Sequence, residues 1–343
     1  MKLVFFGKDS LNLMRKGGIE SLMRRLISAL AKNEHEVFVL VAHKTQKAYF
    51  EVAINKNKVI FIYGTVEDLQ QKMLDMKYDV LNFLSTPFGD IRFLFRLLYK
   101  KRRENIYFCK LFFTYPVFKK NVRLQTLKHR FTINKYIAFS QRLFDDLNNN
   151  FPKKTYQLLP PVADIYFEEK KESKHLKKRI AFAGRISADK GMDIVLKVFE
   201  HFQDVENIEL SLFGYFVSEK DKAKYAEKLA ALNAKLHIVA HEKRDEKIDK
   251  NYLFHESNLP FQDFDILLLP YQHLKPTLDT PLILLEALAA GCQIVTSNIE
   301  HLQNIEGNIS FIDKFENADF FIKKIQEKID NQTFKKYDYS QYK

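Results

Sequence analysis

Short apolar runs alternate with amphipathic stretches from the first residues of this chain onward. In the front half, Lys2 to Phe6, Glu36 to Ala42, Val59 to Tyr63, Asp79 to Leu84, Tyr107 to Phe113, Tyr136 to Ser140 and Tyr156 to Leu159 are short and apolar. Runs of that kind read as buried strands. Between several of them apolar residues recur at helical spacing, over Ile19 to Lys32, Val66 to Met76, Ile91 to Arg103 and Gln141 to Asn150. This alternation predicts a parallel sheet with helices on both faces. The rhythm stops in the polar stretch Glu168 to Lys178 and restarts behind it, with strands expected at Ile180, Ile208, Leu236, Ile266, Ile294 and Ile309. The expectation is an α/β protein of two Rossmann-like, doubly wound domains. They span residues 1–170 and 179–330, joined by a linker at 171–178 and followed by a short tail, 331–343, with room to cross back.

Two segments of the second half carry candidate chemistry. In Arg179 to Glu200 an apolar strand runs into Gly184-Arg185, and Lys190 follows just before an amphipathic helix marked by Ile194, Val195, Val198 and Phe199. Gly184 frees the backbone for a sharp exit, and the two cations then stand at a strand's carboxyl end, where open α/β sheets hold ligands. A guanidinium fork matches phosphate oxygens, and an ammonium adds a mobile point charge. In Asp265 to Ser297 a buried strand leads through a loop into a helix with Thr280 as N-cap and Pro281 at its first position. The amides of Leu282 and Ile283 are then free to receive an anion. Glu286, deeper in that helix, can accept hydrogen bonds from a pair of sugar hydroxyls. Cations, amides and a carboxylate together suit a nucleotide sugar.

Together these segments resemble the retaining glycosyltransferases of family 4, whose GR-x-S-x-x-KG and P…E-x7-E-A-x-A-x-G motifs occur here in the expected order. The stretch KLVFFG with Gly17-Gly18-Ile19-Glu20 is similar to the family's first strand and glycine loop. The resemblance implies the GT-B fold, two Rossmann-like domains facing across a cleft, the rear one binding the nucleotide sugar and the front one the acceptor. It places Arg185 and Lys190 as catalytic groups on the departing phosphates. Donor contacts fall to Gly17, Gly18, Gly184, Asp279, Thr280, Pro281, Leu282, Ile283 and Glu286. Two positions depart from the family pattern. Leu278 stands eight residues before Glu286, where a glutamate is implied, with Asp279 one place later. Tyr115 replaces a histidine near the donor sugar, and a phenol is a poor proton carrier near neutral pH.

Charge adds a partner to this picture. Residues 1–175 hold 32 Lys and Arg against 17 Asp and Glu, whereas residues 176–343 hold 23 against 26. A basic front domain attracts an anionic lipid surface, and the helical stretch at 91–103 pairs an apolar face (Ile91, Leu94, Phe95, Leu98) with Arg92, Arg96 and Arg103. The acceptor is accordingly expected to be a glycan or lipid-linked glycan at the inner face of the cell membrane, in lipopolysaccharide, capsule or glycolipid synthesis. With no run of about 18 apolar residues and no secretory leader ahead of MKLVFFG, the protein is expected to be cytoplasmic and peripheral on the membrane. Cys109 and Cys292 are far apart and make neither a disulfide framework nor a metal spacing. Asp263-Phe264-Asp265 has the letters of a metal motif but opens a strand, so no metal and no other cofactor is expected. No nucleic-acid module is visible. Other readings stay open: an impaired family member acting as a binding subunit, and a nucleotide-sugar epimerase of similar fold.

Overall fold

The apolar run at the amino terminus forms β1 (Lys2–Gly7), in which Leu3 to Gly7 are all buried. A strand buried on both faces belongs in the middle of a sheet, and β1 lies between two parallel neighbours, with Leu3 opposite Val37 on one side and Val80 on the other. The computed structural model describes residues 1–7, 18–42, 47–54, 57–85, 109–113, 135–150, 155–167, 177–239, 259–273, 281–299, 302–330 and 337–339. These fall into two units that divide between Pro161 and Val162.

In the first unit β1 is followed by α1 (Gly18–Lys32), β2 (Glu36–Ala42), β3 (Ala48–Ile54), β4 (Asn57–Gly64), α2 (Val66–Asp75), β5 (Val80–Ser85), β6 (Cys109–Phe113), β7 (Lys135–Ala138), α3 (Gln141–Asn150) and β8 (Thr155–Gln157). The eight-stranded sheet runs β3-β4-β2-β1-β5-β6-β7-β8 and is parallel except at β3, which pairs antiparallel with β4. Helix α1 buries Leu22, Met23, Ile27 and Ala31, the spacing of one helical face. A capping box between Thr65 and Asp68 starts α2, satisfying two amides that the first turn would otherwise leave open. Strand β3 was not expected from sequence. Its residues alternate between exposed and half-buried, so it lacks the continuous apolar run by which the central strands are recognised.

The second unit contains β9 (Lys178–Ile186), α4 (Met192–Phe202), β10 (Ile208–Phe216), α5 (Glu219–Ala230), β11 (Lys235–Ile238), β12 (Ile266–Leu269), α6 (Leu282–Ala289), β13 (Gln293–Ser297), β14 (Ile309–Ile312) and α7 (Ala318–Asp330). Its six strands are parallel, in the order β11-β10-β9-β12-β13-β14. Side chains of the central strands alternate between two cores. Ile180, Phe182, Ile266, Leu268 and Val295 pack with α4 and α7, and Ala181, Ala183, Leu267, Leu269 and Ile294 pack with α6. That period-two split is the doubly wound arrangement in molecular terms.

Three features differ in detail from the sequence reading. Val162 and Tyr166 already belong to the second unit's α6-side core, although residues up to 170 were assigned to the front domain. The reason is that Tyr166 is buried against Phe261 and its hydroxyl accepts from the Leu259 amide at 3.0 Å. Gly184 does not end its strand. β9 continues to Ile186, and the glycine serves instead a φ of +147° and the close approach of Gly214, whose Cβ, were it present, would lie 2.6 Å from the Gly184 carbonyl oxygen. In the tail, Tyr339 packs on the α6-side core of the second unit. The basic helical stretch at 91–103 lies outside the described residues.

Among the described glycines, Gly191 leaves the least room for a side chain. It has φ +73°, and a Cβ there would stand 1.8 Å from the carbonyl oxygen of Pro270. Left-handed geometry alone costs a residue with a Cβ about 1–2 kcal/mol, and this collision is with backbone that cannot swing away. Gly191→Ala is therefore expected to lower unfolding free energy by about 2 kcal/mol or more in denaturant titrations. Gly64→Ala, whose new Cβ would meet only ordinary contacts of 3.5 Å and beyond, is expected to change it by less than about 1 kcal/mol.

Candidate active site

The alternation along β9 decides where Arg185 goes. Ala181 and Ala183 face the α6 side, so Arg185 emerges on that side, near the strand's carboxyl end. Helix α6 connects the carboxyl end of β12 to the start of β13, so its amino terminus lies toward the same edge of the sheet. The chain beyond β9 makes a single 3-10 turn, Ala188–Lys190, closes on Gly191 and enters α4. Here the Asp189 carbonyl accepts the Gln272 amide at 3.0 Å. The turn is thereby tied to the loop after β12.

Arg185 Nη2 lies 3.2 Å from Asp189 Oδ2, and Ser187 Oγ donates to Asp189 Oδ1 at 2.5 Å. Both charged side chains are about one-quarter exposed. Lys190 is more deeply set, at 6% exposure, with its Nζ 4.4 Å from the ring centroid of Tyr271. An aromatic face attracts a desolvated cation, and Tyr271 is itself buried. Burial first, and then the neighbouring Arg185 charge, push the Lys190 ammonium down to about 8, while Asp189 acts in the opposite direction. Burial likewise raises the Tyr271 hydroxyl, which stays protonated and neutral. Relative to a solvated lysine, keeping Lys190 charged here costs about 3 kcal/mol. An anion bound beside it would offset that cost.

Helix α6 begins one residue later than its sequence suggests. Pro281 is the N-cap, with extended backbone (ψ 126°), and Leu282 is the first helical residue. Proline at the N-cap has no side-chain acceptor for the helix amides. Leu284 and Leu285 donate to the Pro281 carbonyl, while Leu282 and Ile283 precede the first intrahelical bonds, as the opening amides of any helix do. Glu286 lies one turn further on and is 8% exposed in a helix buried nearly all round. Thus Gly184, Arg185, Lys190, Pro281, Leu282, Ile283 and Glu286 all belong to the second unit, on elements that meet the carboxyl edge of its sheet. Gly18 opens α1 in the first unit. Gly17, Tyr115, Leu278, Asp279 and Thr280 lie outside the described residues.

Two side chains of this site, Asp189 and Tyr271, were not singled out from sequence. Arg185 lies in a strand and Asp189 in the 3-10 turn after it, so their spacing is not that of a helix face and no local pattern announces the pair. Nothing in the sequence pairs Tyr271 with Lys190, because that contact joins loops 81 positions apart. Asp263 and Asp265 sit at the other end of the sheet. The Asp265 carboxylate accepts the Arg179 amide at 3.0 Å, and the Arg179 guanidinium reaches the Asp263 carbonyl at 3.3 Å. Arg179 precedes Arg185 by six strand residues, about 20 Å, so this Asp-x-Asp pair is far from the cations. Among the described residues no cluster of three or more His, Cys, Asp or Glu has the spacing to hold a metal ion, and no helix is long and apolar enough to cross a membrane.

A family model described as glycosyl transferases group 1 matches residues 165–342. No curated protein sequence matches. Among solved structures, a glycosyltransferase from Rickettsia africae is 13% identical with a TM-score of 0.66, covering 97% of this chain and 89% of its own. HepE from Anabaena, in complex with UDP and glucose, is 12% identical with a TM-score of 0.65, covering 97% and 90%. The catalytic domain of starch synthase IV from Arabidopsis thaliana, bound to ADP and acarbose, is 10% identical with a TM-score of 0.60, covering 94% and 91%. These likenesses identify the fold as GT-B.

The depressed Lys190 ammonium would make the binding of any anion beside it pH-dependent. An anion favours the protonated form, so affinity would be flat while Lys190 of the unliganded protein is protonated and would fall once pH exceeds about 8. UDP titrated by calorimetry between pH 7.5 and 9 is expected to lose affinity toward a limit of about tenfold per pH unit above the bend. In Lys190→Met the bend is expected to vanish and binding to be weaker throughout. An unchanged bend in that variant would assign the titration to another group.

Proposed function

This chain belongs to the glycosyl transferases group 1, and we propose that it is a retaining enzyme of family 4 that moves a sugar from a nucleotide-sugar donor to a glycan or lipid-linked glycan. The observation that carries this reading is the proximity of Arg185 to a buried, cation-π-held Lys190 at the carboxyl edge of the second unit's sheet. Such a site is cationic before any ligand arrives and is built from rigid elements. It suits a diphosphate far better than a neutral group. Membership of a transferase family leaves the epimerase reading without support.

In this reading Arg185 and Lys190 neutralise the two phosphates, and the Leu282 and Ile283 amides, with those of Asp279 and Thr280 by motif, complete the cradle. Glu286 accepts from a pair of ribose hydroxyls. Gly17 and Gly18 contribute amides to the phosphates, and Tyr115 takes a hydroxyl of the donor sugar; both roles rest on the motif resemblance. The C–O bond to the phosphate breaks as the acceptor hydroxyl attacks from the same face. The phosphate oxygen that leaves takes the acceptor's proton, so charge and protons balance without a side-chain base, and retention follows. Catalysis then consists of stabilising charge on the departing diphosphate. The two cations do this without a divalent ion, and the carboxylates of the one Asp-x-Asp sequence are engaged with Arg179 instead.

Acceptor and location are proposed from charge. The excess of cations in residues 1–175 favours an acceptor presented at an anionic, cytoplasmic membrane surface, as in lipopolysaccharide, capsule or glycolipid synthesis. Sedimentation with phosphatidylglycerol vesicles is expected to recover the protein at low salt and to release it in about 0.5 M salt, while neutral vesicles recover none. Equal recovery on neutral vesicles would contradict this location.

The donor reading is tested without knowing the acceptor, by screening nucleotide sugars for slow hydrolysis. With the donor so found, Arg185→Ala is expected to reduce turnover by over a hundredfold, about 3 kcal/mol in the barrier, in a protein that stays folded. Glu286→Gln is expected to raise KM chiefly. Near-normal turnover in Arg185→Ala refutes its assignment. Nucleotide binding without any hydrolysis or transfer would instead favour a binding subunit.

A further inference from the structure

The Arg185 guanidinium is held by a carboxylate four residues away, and that carboxylate is itself held from a second side. Asp189 Oδ2 takes Arg185 Nη2 at 3.2 Å, Asp189 Oδ1 takes the Ser187 hydroxyl at 2.5 Å, and the Asp189 backbone carbonyl takes the Gln272 amide at 3.0 Å. A side chain fixed at both oxygens, on a backbone pinned to the neighbouring loop, is not a mobile surface acid. It places a full negative charge within one hydrogen bond of the group assigned to the diphosphate. Such a charge has two opposed effects. It orients the guanidinium before the ligand arrives, which lowers the ordering cost of binding. It also repels the phosphates and competes with them for the same N–H donors, since a guanidinium presents five donors in one fixed plane.

Taking Arg185 as a diphosphate ligand, as the reading above does, we propose that Asp189 is a positioning residue that acts through Arg185 and deliberately weakens its hold on the diphosphate. The carboxylate keeps the guanidinium aimed for transfer and takes it back when the nucleoside diphosphate product leaves. Ser187 serves the same device by fixing the second oxygen, so that the carboxylate cannot turn away from Arg185. A glycosyltransferase whose catalytic power comes from gripping its leaving group faces product inhibition by that same group. An internal anion opposite the arginine limits it.

The experiment is a double-mutant cycle on UDP binding, read by calorimetry and as product inhibition. Asp189→Asn keeps the shape and an acceptor for Arg185 but removes the charge, and it is expected to tighten UDP about tenfold while kcat falls as release slows. In the Arg185→Ala background, with pH held well below 8 so that Lys190 stays protonated in every variant, the same substitution is expected to change affinity by less than about twofold. Asp189→Ser, which removes the carboxylate altogether, is expected to tighten UDP in the same direction and guards against a folding defect peculiar to one variant. Unchanged or weaker UDP binding in both Asp189 variants, with Arg185→Ala still weakening it, overturns the proposal and leaves the donor site standing. Equal tightening with and without Arg185 overturns it too, as a general charge effect. Wild-type affinity in Arg185→Ala would bring down the donor site together with this inference.

Discussion

The fold of the second unit depends on one close approach, that of Gly191 to the carbonyl of Pro270. Only a residue without a Cβ fits there, and only a residue at ease with φ +73° turns the chain from β9 into α4 at that point. The consequence is chemical. With the two loops in contact, the Asp189 carbonyl receives the Gln272 amide and Lys190 is laid over Tyr271. The result is a buried ammonium next to an ordered guanidinium, two like charges kept close by the backbone beneath them. Their mutual repulsion and desolvation are the penalty that a bound anion relieves.

The second structural element of the site comes from the same sheet. β12 ends in Leu269, whose carbonyl accepts the Thr296 hydroxyl at 2.7 Å, so the end of β12 is tied to β13 by a side chain as well as by the ladder. From there the chain reaches α6, a helix apolar on nearly every side and sealed into the core by Leu282, Leu284, Leu285 and Leu288. A helix so packed cannot shift to meet a ligand, and Glu286 rides on it. Charge stabilisation in a fixed frame is the economical form of catalysis for a reaction in which the leaving group carries most of the developing charge.

Much of this was legible in the residues. The βα rhythm restarting at Ile180 shows as the second unit's sheet, because its central strands β9, β12 and β13 are buried on both faces over most of their length and so read as apolar runs. Arg185 and Lys190 were legible from strand, glycine and helix in sequence. Other features were not. The edge strand β3 alternates without a continuous apolar signature and gains its place from pairing with β4. The packing of Tyr166 on Phe261 moves residues 162–167 into the second unit, a contact between positions 95 apart in the chain that no local pattern announces. Pro281 as N-cap, rather than first helical residue, is a matter of one ψ angle. Tyr271 and Asp189 complete the site through loop contacts, which carry no periodicity at all.

The central prediction is that the diphosphate of a sugar nucleotide lies against the carboxyl edge of the second sheet. A crystal structure of the protein soaked with UDP or a hydrolysable donor measures this most directly. Phosphate oxygens within about 3 Å of Arg185, Lys190 and the Leu282 or Ile283 amide are the predicted result. A nucleotide seated elsewhere on the molecule, with Arg185 still bonded only to Asp189, would contradict it.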